Sequence, residues 1–354
     1  MWSNKTAFFK GGKIKRKGGL IMSLKKDKTT NDSSLVDGLE NQCDFKLCNN
    51  YSIDFEKIQD ELNKKFSDKK KDSEKLSRVY KFIGEEIRSI KVAECGSYLE
   101  FKVTNDSHKL HHANFCKDRL CPMCNWRRSL KIFSQVSAVM EEMKDYEFIF
   151  LTFTVRNCEG VDLSDTVQAI YDGWRYLYNK NSIFRKSIKG TFRSLEVTRN
   201  RLTGTFHPHL HCIMSVRKSY FKSADYIKHS EWIKLWRKAC KLDYDPWVYV
   251  EKVKSVGKGI SGAIAEVAKY SVKSVDYGAS GENVRIFLNA LTARRLCGWT
   301  GIFAQIRKKL KLDDIEDGDL VHTEVDNIRE DIACMIVRYQ WKSGVYVEIN
   351  CQTT

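Results

Sequence analysis

Three groups of side chains in this sequence have the types and spacing that chemistry needs. The first lies in Phe206-His207-Pro208-His209-Leu210-His211-Cys212-Ile213-Met214-Ser215-Val216, which holds three of the chain's eight histidines. Alternation along a strand puts His209 and His211 on one face and Leu210 and Cys212 on the other. Two imidazoles side by side on a rigid strand make half of a metal site. The plain alternative is a surface histidine cluster in a hairpin. If the loop before this strand centres near Thr203, residues 196 and 210 lie across from each other and Glu196 stands beside both rings. Two imidazoles and a carboxylate suit Mg2+ or Mn2+ with positions left open for a phosphate oxygen. Otherwise Glu196 is a polar-face strand residue and no more.

The second group is cysteine-rich. Cys121-x-x-Cys124 forms the tight turn that wraps two thiolates around one tetrahedral zinc. Cys116 and Cys95 complete four sulfurs, with His111 and His112 as substitutes for the fourth place. A redox Cys-x-x-Cys is the rival reading, and the neighbouring cysteines argue against it. The helix that follows opens with Trp126-Arg127-Arg128, whose guanidiniums are expected to meet phosphates.

The third group is Glu266-Val267-Ala268-Lys269-Tyr270-Ser271-Val272-Lys273. On a helix Glu266, Tyr270 and Lys273 share a face. A free tyrosine titrates near pH 10 and is a poor nucleophile at neutrality. It needs a polarised electrophile and a nearby cation such as Lys273, while Glu266 is placed to act as a base. Taken by itself this spacing is common on exposed helices.

The elements that position these groups follow from periodicity. Residues 1 to 50 are basic and aperiodic, which reads as a disordered tail. Residues 51 to 144 read as helices interrupted at 67–73, then the cysteine region. From 145 to 280 the order is strand (Phe148–Val155), helix (Leu163–Asn179), two strands (Thr191–Thr198 and His209–Val216), helix (Tyr226–Cys240), strand (Trp247–Val253) and helix (Ser261–Ser274). That order predicts an α+β fold built on a split β-α-β-β-α-β antiparallel sheet of ferredoxin or RRM type, with helices on one face. Residues 281 to 354 form a C-terminal extension: a basic helical stretch from Asn283 to Lys309, an acidic linker (Asp313–Asp319) and two short strands.

Composition narrows the partners. The formal charge is +16, and nine Lys/Arg against one Asp in the first thirty residues account for half of it. The rest is spread through the folded part and points to a polyanion such as nucleic acid. No apolar run reaches membrane-spanning length, and the N-terminus lacks a signal-peptide core, so a cytoplasmic protein with no membrane partner is expected. Gly257-Lys258-Gly259-Ile260-Ser261-Gly262 fits G-x-G-x-x-G, but the antiparallel surroundings favour a plain loop over a nucleotide site. No G-x-x-x-x-G-K-[ST] occurs, so a helicase motor within this chain is not expected.

Phe150-Leu151-Thr152-Phe153-Thr154, the His209-Leu210-His211 strand and the Tyr270/Lys273 helix resemble, in order, the three motifs of rolling-circle plasmid replication initiators. These Rep proteins belong to the HUH endonuclease superfamily. Cys116-Lys117-Asp118-Arg119-Leu120-Cys121-Pro122-Met123-Cys124 is similar to the cysteine block of one large family of them, and Glu266 four residues before Tyr270 resembles its single-tyrosine members. The resemblance implies that Tyr270 nicks plasmid origin DNA at a single-stranded or hairpin site and becomes linked to the 5′ phosphate. It implies Mn2+ or Mg2+ on His209, His211 and Glu196, structural zinc on Cys95, Cys116, Cys121 and Cys124, and a base role for Glu266 in termination. Host helicase and DNA polymerase would act as partners. The family pattern leaves His207 open, either as the third ligand in place of Glu196 or as a residue that positions DNA. Related relaxases, single-strand transposases and a non-catalytic zinc-containing DNA-binding protein are the competing readings.

Overall fold

The computed structural model describes residues 55–104, 108–254, 259–269, 280–323 and 335–349. Helices α1 (Phe55–Phe82) and α2 (Glu86–Glu94) lead into strands β1 (Tyr98–Val103) and β2 (His108–Ala113). The Lys/Asp-rich stretch at 67–73, expected as an interruption, lies inside one continuous helix. Lys and Asp side chains are compatible with a helix wherever they reach water. Lys70 is the exception, because it turns inward and donates to the Ala93 and Cys95 carbonyls. The last strands, β8 (Met335–Lys342) and β9 (Val345–Glu348), complete this first sheet in the order β2-β1-β8-β9. Phe66 of α1 anchors it, its ring centroid 6.2 Å from Phe101, 6.2 Å from Tyr346 and 4.9 Å from Trp126.

Helix α3 (Pro122–Glu141) precedes the second sheet, which begins β3 (Tyr146–Thr154), α4 (Leu163–Lys180), the short α5 (Ser182–Ser187) and β4 (Ile188–Arg199). It continues with β5 (Phe206–Arg217), α6 (His229–Ala239) and β6 (Val248–Lys252). The expected β-α-β-β-α-β order is therefore present, and its strands lie β6-β3-β5-β4, all antiparallel. Then come α7 (Gly259–Val267), α8 (Gly281–Leu291), β7 (Cys297–Thr300) and α9 (Gly301–Lys309). The sequence pattern predicts helix through β7; the segment instead pairs with β4 as an added edge strand. Gly301 ends it with φ +55, and any Cβ there would collide with the Lys189 carbonyl, so the chain can turn into α9 only through glycine.

One face of this sheet carries Leu151, Phe153, Leu195, Val197, Leu210 and Cys212, all buried. α6 packs there, with Phe153 stacked on Trp236 at 4.5 Å and the indole N–H donating to the Thr154 carbonyl at 2.9 Å. Helices on one face alone, as the element order predicts, would leave the other face bare. Its lower half is instead covered by Trp299 and by Phe303 of α9, which meet Phe192 at 4.5 Å and Phe148 at 6.1 Å. α7 packs against β5 on the remainder. Because both faces are covered, β3 and β5 read as nearly continuous apolar runs.

Arg127 and Arg128 do not face phosphate. Both are buried, at 7% and 2% exposure. Arg127 donates to the carbonyls of Leu320 (2.8 Å) and Val321 (2.6 Å), and Arg128 to those of Glu316 (3.2 Å), Asp118 (3.0 Å) and Lys117. Lys131 adds Asp313 Oδ2 at 2.7 Å. The acidic stretch Asp313–Asp319 is thus no linker: it is clamped onto α3 by basic side chains that the sequence pattern assigns to DNA. Arg128→Met is expected to destabilise the fold by about 3–5 kcal/mol, the cost of leaving buried groups without their charged partner. Chemical denaturation measures this, and the salt dependence of DNA binding should not change in that variant.

Candidate metal and nicking site

The β4–β5 hairpin pairs Glu196 with His209 and Ser194 with His211. Pairing of 196 with 210, as a loop centred near Thr203 requires, would have put Glu196 on the apolar Leu210 face. The loop itself sets the true register. Asn200 Oδ1 accepts from the Leu202 and Thr203 amides at 2.9 and 3.3 Å, and Gly204 closes the turn at φ +80. Directly opposed residues of an antiparallel pair share a face. Glu196 therefore stands with the two imidazoles.

The three side chains converge closely. His209 Nε2 lies 3.2 Å and His211 Nε2 3.1 Å from the same oxygen, Glu196 Oε2. All three residues are buried, Glu196 to 3% exposure. Their ligand atoms fall within 4.8 Å of one another. The outer ring nitrogens are held by neighbours. His209 Nδ1 meets the His207 carbonyl at 3.1 Å, and since a carbonyl only accepts, that nitrogen carries the hydrogen. Its Nε2 is then the nitrogen turned to Glu196, where a cation would be held. Thr152 Oγ1 holds His211 Nδ1 at 3.0 Å. Such outer partners fix the tautomer and orientation of metal-binding histidines. Burial lowers the pKa of His211 although the Glu196 hydrogen bond opposes it, which favours the neutral, ligating ring. Two imidazole nitrogens and one carboxylate oxygen, converging from a rigid sheet, fit a divalent cation.

His207 shares the face but stands one step off. Its ring lies 5.3 Å from that of His209, and its Nδ1 meets Asn157 Oδ1 at 2.8 Å. It is not part of the three-ligand cluster. Glu266, on α7, is half exposed, is paired with Lys269, and acts electrostatically on the His211 ring. Tyr270 and Lys273 lie outside the described residues. Thr152 is the functional position that residue-type reasoning overlooks, and its one sequence signal is its place in the Phe-Leu-Thr-Phe-Thr run.

The cysteines form a second convergent set. Cys95 Sγ is 3.5 Å from both Cys124 Sγ and Cys121 Sγ, and Cys116 Sγ is 3.6 Å from Cys124 Sγ. Four thiolates about 2.3 Å from a tetrahedral ion would stand at nearly this separation. Backbone amides of Cys116, Lys117 and Asp118 point at the sulfurs from 3.4, 3.2 and 3.4 Å. Cys121 caps the N-terminus of α3, where the helix dipole favours a thiolate. His111 and His112, the substitute ligands, sit on β2 instead and are absent from the set.

Comparison with known proteins shows the family. A family model described as "Replication protein" matches residues 107–347. "Protein rep" of Streptococcus pneumoniae serotype 2 (strain D39 / NCTC 7466) is 40% identical over 262 residues, which cover 72% of this chain and 82% of that protein. "Protein rep" of Bacillus amyloliquefaciens is 34% identical over 330 residues, covering 84% and 97%. A Staphylococcus aureus "Replication protein" is 34% identical over 222 residues, covering 60% and 94%. No solved structure matches the chain. With the family model spanning well over half of its residues, the chain belongs to the Rep family of replication proteins, the rolling-circle plasmid initiators that its motifs resemble.

Proposed function

We propose that this initiator is an HUH-type endonuclease and strand transferase that nicks one strand of its plasmid origin through Tyr270. The observation that carries the reading is the convergence of His209 Nε2, His211 Nε2 and Glu196 Oε2 beside the helix that bears Glu266. A divalent ion held there, Mn2+ or Mg2+, supplies Lewis-acid polarisation of a phosphate oxygen. The Tyr270 hydroxyl attacks the scissile phosphorus, the bond to the 3′ oxygen breaks, and that oxygen leaves as a hydroxyl after gaining a proton. The strand's 5′ phosphate remains on Tyr270, with Lys273 supplying charge to the phenolate. The free 3′ hydroxyl primes a host polymerase, and a host helicase unwinds the duplex. At termination Glu266 accepts a proton from water, whose oxygen attacks the phosphorus at the regenerated origin while the bond to its 3′ oxygen breaks and frees a new 3′ hydroxyl. That hydroxyl attacks the phosphotyrosine, the bond to the Tyr270 oxygen breaks, the phenolate regains a proton, and a closed circle is released. The four cysteines hold a structural zinc.

Tyr270→Phe tests this directly. Incubated with supercoiled origin plasmid and Mn2+, the native protein should form a denaturation-resistant protein–DNA adduct, and the variant should form none. DNA retardation without nicking by the native protein would leave a non-catalytic DNA-binding module. Glu266→Ala should still nick but release few circles, and normal release would remove its role as base.

A further inference from the structure

We propose that Trp247 and Tyr249 form a stacking platform for an unpaired base of the DNA strand next to the scissile phosphate. The identity of that strand rests on the nicking reading above. β6 is the edge strand beside β3, and Tyr249 lies directly opposite Thr152, the residue that holds the His211 ring. The same register brings Trp247 level with Thr154, whose hydroxyl donates to the Trp247 carbonyl at 2.8 Å. Trp247 and Tyr249 therefore stand on the histidine face, two strand spacings from the ligands, which is about 10 Å.

Their exposure is unusual for rings of this size. Trp247 is 62% and Tyr249 39% exposed, yet the two rings stack at 6.1 Å with only 23° between their planes. Large aromatic side chains left in water and held parallel have the form of a surface that receives another flat ring. The platform is braced from below. Tyr249 Oη donates to Glu251 Oε2 at 2.5 Å, and its ring packs on Phe150 at 6.1 Å. Phe150 in turn stacks on His211 at 5.8 Å, so the exposed rings and a metal ligand share one rigid aromatic row.

Charge complements the rings. Arg156 lies two residues beyond Thr154 at the end of β3, its guanidinium 3.8 Å from the Tyr244 ring and its side chain 66% exposed. It pairs at 3.9 Å with Asp243, a carboxylate that is itself 87% exposed and that a phosphate could replace. It is placed to meet a backbone phosphate while the rings take the base. An exposed surface that offers stacking and a cation, but no set of base-edge hydrogen bonds, suits single-stranded DNA with little sequence preference at that nucleotide.

The test uses the full chain in buffer without Mn2+ or Mg2+, so that no probe is cut. Affinity is measured for an oligothymidylate and for a strand of equal length lacking its bases. The native protein should favour the strand with bases. Trp247→Ala should shrink that preference by about 5- to 150-fold, the contribution of one stacked base, while Trp247→Phe keeps most of it. An unchanged preference in Trp247→Ala would overturn the platform, even if the Tyr270 adduct forms normally. Loss of the preference in that variant, with no adduct ever formed by the native protein, would retain the platform and sink the nicking reading instead.

Discussion

His211→Ala should lower metal-dependent cleavage of a single-stranded origin oligonucleotide by about a thousandfold or more. Lewis-acid stabilisation contributes several kcal/mol, and each ~1.4 kcal/mol is tenfold in rate. The loss follows from geometry, since His211 Nε2 is one of only three ligand atoms that converge among the described residues of this face. Thr152→Val is the graded companion, removing the hydroxyl that holds His211 Nδ1 while leaving every ligand in place. Its Mn2+ affinity should fall about 10- to 100-fold, and excess Mn2+ should restore cleavage. Mn2+ binding followed by electron paramagnetic resonance reads this without any reaction. Cleavage by His211→Ala at the native rate, or Mn2+ binding unchanged in Thr152→Val, would show that these rings serve another purpose.

Replacing Cys121 and Cys124 by Ser should cost the protein about one zinc per chain and most of its stability. Structural zinc sites contribute about 10–16 kcal/mol, comparable with or larger than the ~5–15 kcal/mol that holds a whole domain folded. Position explains why the damage would spread. Cys121 sits at the N-cap of α3, Cys124 in its first turn, Cys95 at the end of α2, and Cys116 in the segment between β2 and α3. α3 in turn clamps residues 313–321 through Arg127, Arg128 and Lys131. Thermal melting and metal analysis after chelation provide the measurement. A folded, zinc-free protein that melts at the native temperature would dismiss the metal and leave four ordinary thiols.

Much of the site is legible in the amino-acid order. Period-two alternation places His209 and His211 together, because side-chain direction in a strand is a local property. The same locality makes the β-α-β-β-α-β order readable, and the tight Cys-x-x-Cys turn with it. Register is not local. Whether Glu196 meets His209 or Leu210 depends on one residue of hairpin slip, which the Asn200 turn decides through its own hydrogen bonds.

Long-range packing settles the rest. Arg127 and Arg128 look like phosphate ligands until residues nearly two hundred positions later fold over them and offer carbonyls. Cys297–Thr300 becomes a strand only because β4 presents a free edge, and β8 finds β1 across most of the chain. What the chain's local chemistry determined by itself was the candidate ligands, the order of elements and the excess of positive charge. Tertiary structure alone decided which basic groups are internal struts and which aromatic rings face solvent, because burial is set by what packs against a residue and that partner can lie anywhere in the sequence.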